Sequence, residues 1–146
     1  MMNILVHAHS GLRWIILLLL LITIGNALVR WKQRKNYLDK DRRLALFTLI
    51  FSHIQLVLGF VVYFLSSKVV FNEMTMSSKL IRYFTVEHPV FMILAIVLIT
   101  IGYSRSKKKE EDASKFRIQF WFYTIALLLI LIGIPWPWQD YGAGWG

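Results

Sequence analysis

The chain has 146 residues, no Cys, 57% apolar residues, only 17% charged ones, and a formal net charge of +9. The apolar share exceeds the roughly 45–50% of soluble globular domains, which excludes a disordered chain, a disulfide scaffold and an ordinary soluble enzyme. Without Cys there is no thiolate catalysis, iron–sulfur cluster or Cys-based zinc site.

Four stretches carry no charge: Trp14–Val29, Leu44–Ser67, Pro89–Ser104 and Ile118–Gln139. About 20 apolar residues in a helix cross the roughly 30 Å of a bilayer's hydrocarbon. The second and fourth meet that length; the first and third borrow flanking residues, including Arg13 and Glu87–His88. Backbone polar groups in lipid need internal partners, so helices are expected. Ile15–Ile22 and Ile125–Ile132 lack the alternation a barrel strand requires. The spans are read as about 10–30, 44–66, 82–104 and 118–136, in one domain over 1–146.

The first span has no Lys or Arg ahead of it and no small-x-small cleavage site, so it reads as a retained helix rather than a signal peptide. Its start carries His7, His9, Gly11 and Arg13. The connection after it holds Arg30, Lys32, Arg34, Lys35, Lys40, Arg42 and Arg43. The second span contains His53, Gln55 and Gly59, and the third opens with Glu87–His88. The next connection holds Arg105, Lys107, Lys108, Lys109, Lys115 and Arg117, so two short loops contain 13 of the 17 basic residues. The positive-inside rule places both in the cytoplasm and both termini outside. The net charge is therefore topology, and nucleic acid is not an expected partner. Pro135 and Pro137 end the fourth helix, Trp136, Trp138, Tyr141 and Trp145 form an interface belt, and Gly142, Gly144 and Gly146 predict a loose tail. Short connections predict an antiparallel, up-down-up-down all-α transmembrane bundle of four helices.

Polar residues within spans are functional hypotheses by default. Asn26 and the Ser and Thr residues read as helix–helix contacts. With a rise of about 1.5 Å per residue, Arg13 and His88 lie roughly 25 Å above the basic ends of their helices, His9 roughly 31 Å and His53 roughly 15 Å. Histidines from different helices at similar height suit the axial positions of a haem b. His9 with His88 is the preferred pair, and His53 with His88 the alternative. Arg13, Lys79 and Arg82 are the cations near that end for haem carboxylates, and Gly59 and Gly11 make room for a flat ring. Glu87 is a partner for Arg13 or Arg82, or an acceptor that fixes a histidine's tautomer. His7-Ala8-His9 and Met74-Thr75-Met76 form a weaker copper constellation of imidazole and thioether. There is no nucleophile–base–acid set, phosphate loop or H-E-x-x-H. Electron transfer is therefore expected rather than stand-alone catalysis.

The motifs His9-Ser10-Gly11-Leu12-Arg13-Trp14, Phe51-Ser52-His53-Ile54-Gln55-Leu56 with Gly59 and Tyr63-Phe64, Glu87-His88-Pro89, Ile101-Gly102-Tyr103-Ser104-Arg105 and Ile134-Pro135-Trp136 follow in order over nearly the whole chain. Together they resemble a family of short four-helix bacterial membrane proteins described as cytochrome b-like. The resemblance implies a haem b-containing or cytochrome b-shaped respiratory subunit of the bacterial cytoplasmic membrane, with its termini in the periplasm. One haem per chain is expected, with quinol as donor and other respiratory membrane subunits as partners. The alternative is a structural or accessory subunit without a cofactor.

Overall fold

The computed structural model describes all residues from Met1 to Gly146 and contains helices but no strand. In chain order these are α1 (Met2–Lys32), α2 (Asp39–Leu65), α3 (Met74–Ser77), α4 (Lys79–Arg82), α5 (His88–Lys108) and α6 (Asp112–Gly133). A π-helical segment, Tyr83–Glu87, joins α4 to α5, so the third span runs unbroken over Lys79–Lys108. All four long helices are long and apolar enough to cross a membrane.

The boundaries follow from local chemistry. No Pro or Gly interrupts Met2–Ser10, so α1 begins well before the expected boundary and brings His7 and His9 into the helix. At the other extreme α6 stops at Gly133, not at residue 136. Pro135 forces the residue before it out of helical backbone, and Ile134 is extended at φ −72°, ψ 134°. Pro89 lies just after the π segment inside the continuous third span, so its missing N–H leaves a carbonyl of the preceding turn without its donor.

The four long helices form a square bundle. α1 packs on α2 and α6, and α5 packs on the same two, so α1 and α5 face each other diagonally. Leu20, Ala45, Ala95, Ile99, Tyr123 and Ala126 are fully buried in one core. Small residues allow the close approach. A Cβ on Gly102 would stand 2.5 Å from Phe122 Cβ, and one on Gly133 2.7 Å from Phe91 Cβ. The outward faces are as apolar as the core: Leu18, Val57, Phe64 and Leu128 are all exposed. A soluble bundle would present polar residues there. These faces suit contact with a lipid bilayer, and the chain is a multi-pass membrane bundle.

Polar contacts tie the helices from within. Thr23 and Thr48 hydroxyls meet at 2.9 Å, and the Tyr123 hydroxyl donates to the Ala45 carbonyl at 2.9 Å. At the basic end, Asp41 is almost fully buried. Its carboxylate takes the Asn26 amide at 2.9 Å and the Leu38 backbone N–H at 2.8 Å, and stands 3.0 Å from Arg30 Nε. This carboxylate fastens α2 to α1. The connection between them carries Tyr37, whose hydroxyl accepts from the Gln119 amide of α6. Burial raises the Tyr37 phenol pKa, opposed by its hydrogen bonds to Gln119 and Ser106.

Candidate functional site

At the end opposite the basic loops, Pro89, Pro135 and the end of α6 leave three helix carbonyls without a backbone donor, and each finds a side-chain partner. Proline has no N–H for the carbonyl four residues earlier. Opposite Pro135, the Leu131 carbonyl takes the Trp136 indole N–H at 2.9 Å. Opposite Pro89, the Thr85 carbonyl takes the Tyr63 hydroxyl at 2.9 Å. The Gly133 carbonyl, free because α6 ends there, takes both His88 Nδ1–H, at 2.7 Å, and the Tyr83 hydroxyl. The last contact orients the site. A carbonyl only accepts, so Nδ1 of His88 carries the proton and Nε2 of the neutral ring keeps its lone pair. Tyr83 and His88 reach one acceptor because they flank the π segment, where the His88 N–H bonds back to the Tyr83 carbonyl five residues earlier. Such segments are frequent at functional sites.

His9 approaches from the diagonal helix. Its backbone carbonyl accepts the Gln55 amide at 2.8 Å, and its ring lies over Gly59, where a Cβ would come within 3.1 Å of Cε1. The space at Gly59 is therefore taken by an imidazole rather than left for a flat ring, while Gly11 has nothing within 4 Å of its Cβ position. The His9 and His88 ring centres are 6.2 Å apart, with planes at 77°.

Both rings line a cavity of about 440 Å³, within the range of about 300–1,000 Å³ usual for small-molecule sites. Met92, Ile96, Ile130 and Ile134 form its apolar wall; Arg13, Gln55 and Lys68 supply polar groups. Five buried side-chain polar atoms in the protein lack a hydrogen-bond partner, and three of them, His9 Nδ1, Arg13 Nε and Gln55 Oε1, belong to residues lining this cavity. Unpaired buried polar atoms are costly and call for a partner.

The tail is not loose. Tyr141 is buried and stacks on Tyr83, with centres 3.9 Å apart and planes at 14°. The Trp145 carbonyl accepts from Arg13 Nη2 at 2.9 Å and from the Trp14 indole at 2.8 Å. Gly142, Ala143, Gly144 and Gly146 then line the cavity. The glycines make this return path possible, Gly142 at φ 68°, and the aromatic residues hold it down.

Two sequence candidates lie elsewhere. Arg82 is not part of the cavity; its Nε pairs with Glu87 at 2.8 Å, and its Nη1 reaches the Met76 carbonyl. His53 is exposed, with Nδ1 donating to the Leu49 carbonyl of its own helix at 2.9 Å, and it does not meet His88. The reason is helical phase. Ser52, Gln55 and Gly59 share the face that lines the cavity, and position 53 is turned about 100° from position 52. Of the H-x-H pair, His7 is exposed and His9 is partly buried, and both line the cavity. Met74 and Met76 are exposed and do not line the cavity. No group of three or more His, Asp or Glu residues is placed to hold a metal ion.

Lys68, Tyr83, the Gly133 carbonyl and the buried Asp41 are absent from the sequence candidates. Lys68 was detectable as the first cation after the second span; Pro135, which ends α6, pointed to free carbonyls in its last turn. No protein-family profile, curated protein or solved structure matches this chain.

Proposed function

We propose that the cavity holds one b-type haem between His9 and His88, and that the protein is a cytochrome b-like electron carrier of a bacterial cytoplasmic membrane. The observation that carries this reading is the spacing of the two rings. Two imidazoles holding one metal ion between them, on bonds of about 2.0–2.1 Å, would stand with their centres up to about 6 Å apart. His9 and His88 stand at 6.2 Å. Haem iron supplies reversible one-electron exchange without a change in the protein's own bonds.

The chain's contribution is positional and electrostatic. The Gly133 carbonyl orients the His88 ring and makes Nε2 its free nitrogen, as in metal sites where an acceptor on the far ring nitrogen fixes the tautomer. Gln55 and Gly59 position His9. Arg13 and Lys68 replace the expected Arg13 and Arg82 as the cations lining the cavity, where they would meet carboxylates of the group. The aliphatic wall lowers the local polarity, which would help to set the potential. By the positive-inside rule the basic loops lie in the cytoplasm and the histidine end in the periplasm. Quinol is the proposed donor, and other respiratory membrane subunits are the proposed partners.

A dithionite-reduced minus oxidised spectrum of the detergent-purified protein, with a pyridine haemochrome assay, tests this. The expected result is a b-type alpha band at about one haem per chain. It should be lost in His88→Ala and His9→Ala while both variants remain in the membrane, and kept in His7→Ala. A colourless protein from haem-sufficient cells, or a band that survives both substitutions, overturns it. In that case the cofactor-free accessory subunit is the reading that remains.

A further inference from the structure

Tyr83 does not line the cavity, yet it is tied to a histidine that does. It is buried beside His88, with ring centres 6.0 Å apart, and its hydroxyl donates to the same Gly133 carbonyl that takes His88 Nδ1–H. Its ring is held by Tyr141, stacked at 3.9 Å, and by Phe84, edge-on at 5.1 Å. These contacts fix where the hydroxyl points. The free carbonyl does not need it for satisfaction, because His88 alone would supply a donor.

A carbonyl oxygen can accept twice, but both donors draw on the same negative charge, so each contact weakens the other. An imidazole whose N–H is held by a strong acceptor becomes a better electron donor at its other nitrogen. While the Tyr83 hydroxyl occupies the oxygen, His88 Nδ1–H meets a weaker acceptor, and Nε2 is a weaker ligand. The contrast within the molecule is Tyr63. Its hydroxyl donates to the Thr85 carbonyl at 2.9 Å, and no histidine shares that acceptor.

We propose that Tyr83 is a positioning residue that sets the donor strength of His88 Nε2 by sharing the Gly133 carbonyl, and thereby raises the reduction potential of the iron that His88 holds. A weaker imidazole donor favours the ferrous over the ferric state. The effect on a potential rests on the reading of the cavity as a haem site; the sharing of the carbonyl rests on the chain's own hydrogen bonds.

The test is Tyr83→Phe in the full chain, with Tyr63→Phe as control and two readouts. Tyr83→Phe keeps the ring on Tyr141 and removes only the second donor. The first readout is the Nδ1–H magnetic resonance signal of His88 in haem-depleted protein labelled at histidine nitrogen, assigned by its loss in His88→Ala. It should move downfield in Tyr83→Phe, as the bond to the carbonyl tightens, and stay in place in Tyr63→Phe. The second is redox titration of the haem-loaded protein. Tyr83→Phe should favour the ferric form by about three- to tenfold, a fall in midpoint potential of about 30–60 mV for one electron, and Tyr63→Phe should leave it unchanged. A ring-fluorinated tyrosine at position 83, a stronger O–H donor, should move both readouts the opposite way. A His88 signal that is unmoved or moves upfield in Tyr83→Phe overturns the proposal. So does an equal shift of potential in Tyr83→Phe and Tyr63→Phe, which would reflect general loosening of the bundle. A moved signal with an unmoved potential overturns the tuning of the iron. If the wild-type protein holds no haem, the haem reading falls, and the downfield shift still decides whether Tyr83 and His88 share the carbonyl.

Discussion

Gly59→Ala perturbs the histidine pair without altering either ring. The new Cβ would stand 3.1 Å from His9 Cε1 and 3.7 Å from Nδ1, whereas carbon atoms prefer contacts of about 3.5–4.0 Å. The ring must therefore retreat by a few tenths of an ångström. A metal–nitrogen distance tolerates about 0.2 Å, so a ligated His9 cannot retreat that far and keep its bond. An unligated His9 can tilt away. Meanwhile Gly within a helix is less favourable than Ala by about 0.5–1 kcal/mol, and Gly59 lies in the interior of α2. The two effects have opposite signs. The haem-free protein should be as stable as wild type or more stable, by up to about 1 kcal/mol. The haem-loaded protein should lose or weaken its six-coordinate spectrum. The assay pairs visible spectra and haem stoichiometry with thermal unfolding in detergent, on haem-loaded and haem-depleted samples. Gly59→Leu extends the series and should abolish loading. A Gly59→Leu protein with full haem and an unchanged band would show that His9 is not a ligand, and the pairing argument would fall.

Other predictions concern the bundle. Asp41→Ala strips the acceptor from Arg30, Asn26 and the Leu38 N–H and should cost about 3–5 kcal/mol; a loss below about 1 kcal/mol in thermal unfolding would contradict the buried placement. Gly102→Ala puts a Cβ 2.5 Å from Phe122 Cβ and should cost about 1–3 kcal/mol, because α5 and α6 must separate. Gly25→Ala, with nothing within 4 Å, is its control and should be neutral or mildly stabilising. Tyr37 gives a pH dependence. Its folded pKa is raised by burial, so its contribution is fully present below the unfolded value of about 10 and is lost as pH rises through the folded value. The unfolding temperature of wild type should fall more steeply above pH 10 than that of Tyr37→Phe; parallel slopes would count against it.

Much of the architecture was legible in the amino-acid sequence. Four charge-free stretches, too apolar for water and long enough for lipid, require helices because hydrocarbon leaves a backbone no other partner. Asn26, Thr23 and Thr48 read as contacts between helices and are found making them. The heights of His9 and His88 follow from the helical rise alone.

What the sequence could not determine is direction around each helix. In a soluble bundle, polarity marks the outer face and reveals which residues turn inward. Here both faces are apolar, so height could be read and azimuth could not. That is why His53 could stand as an alternative partner until its outward rotation was visible, and why Arg82 could be chosen over Lys68. The same limit hid the consequence of the prolines. Pro135 ends α6 and leaves the carbonyls of its last turn without helical donors, but only the packing of α5 against α6 decides that His88 and Tyr83 take their place at Gly133. Likewise three glycines near the end of the chain speak for a loose tail, and the stacking of Tyr141 on Tyr83 is what closes it over the cavity. Composition selects the solvent and the helices; the tertiary structure selects which side chains meet, because meeting depends on rotation and on carbonyls left free by another part of the chain.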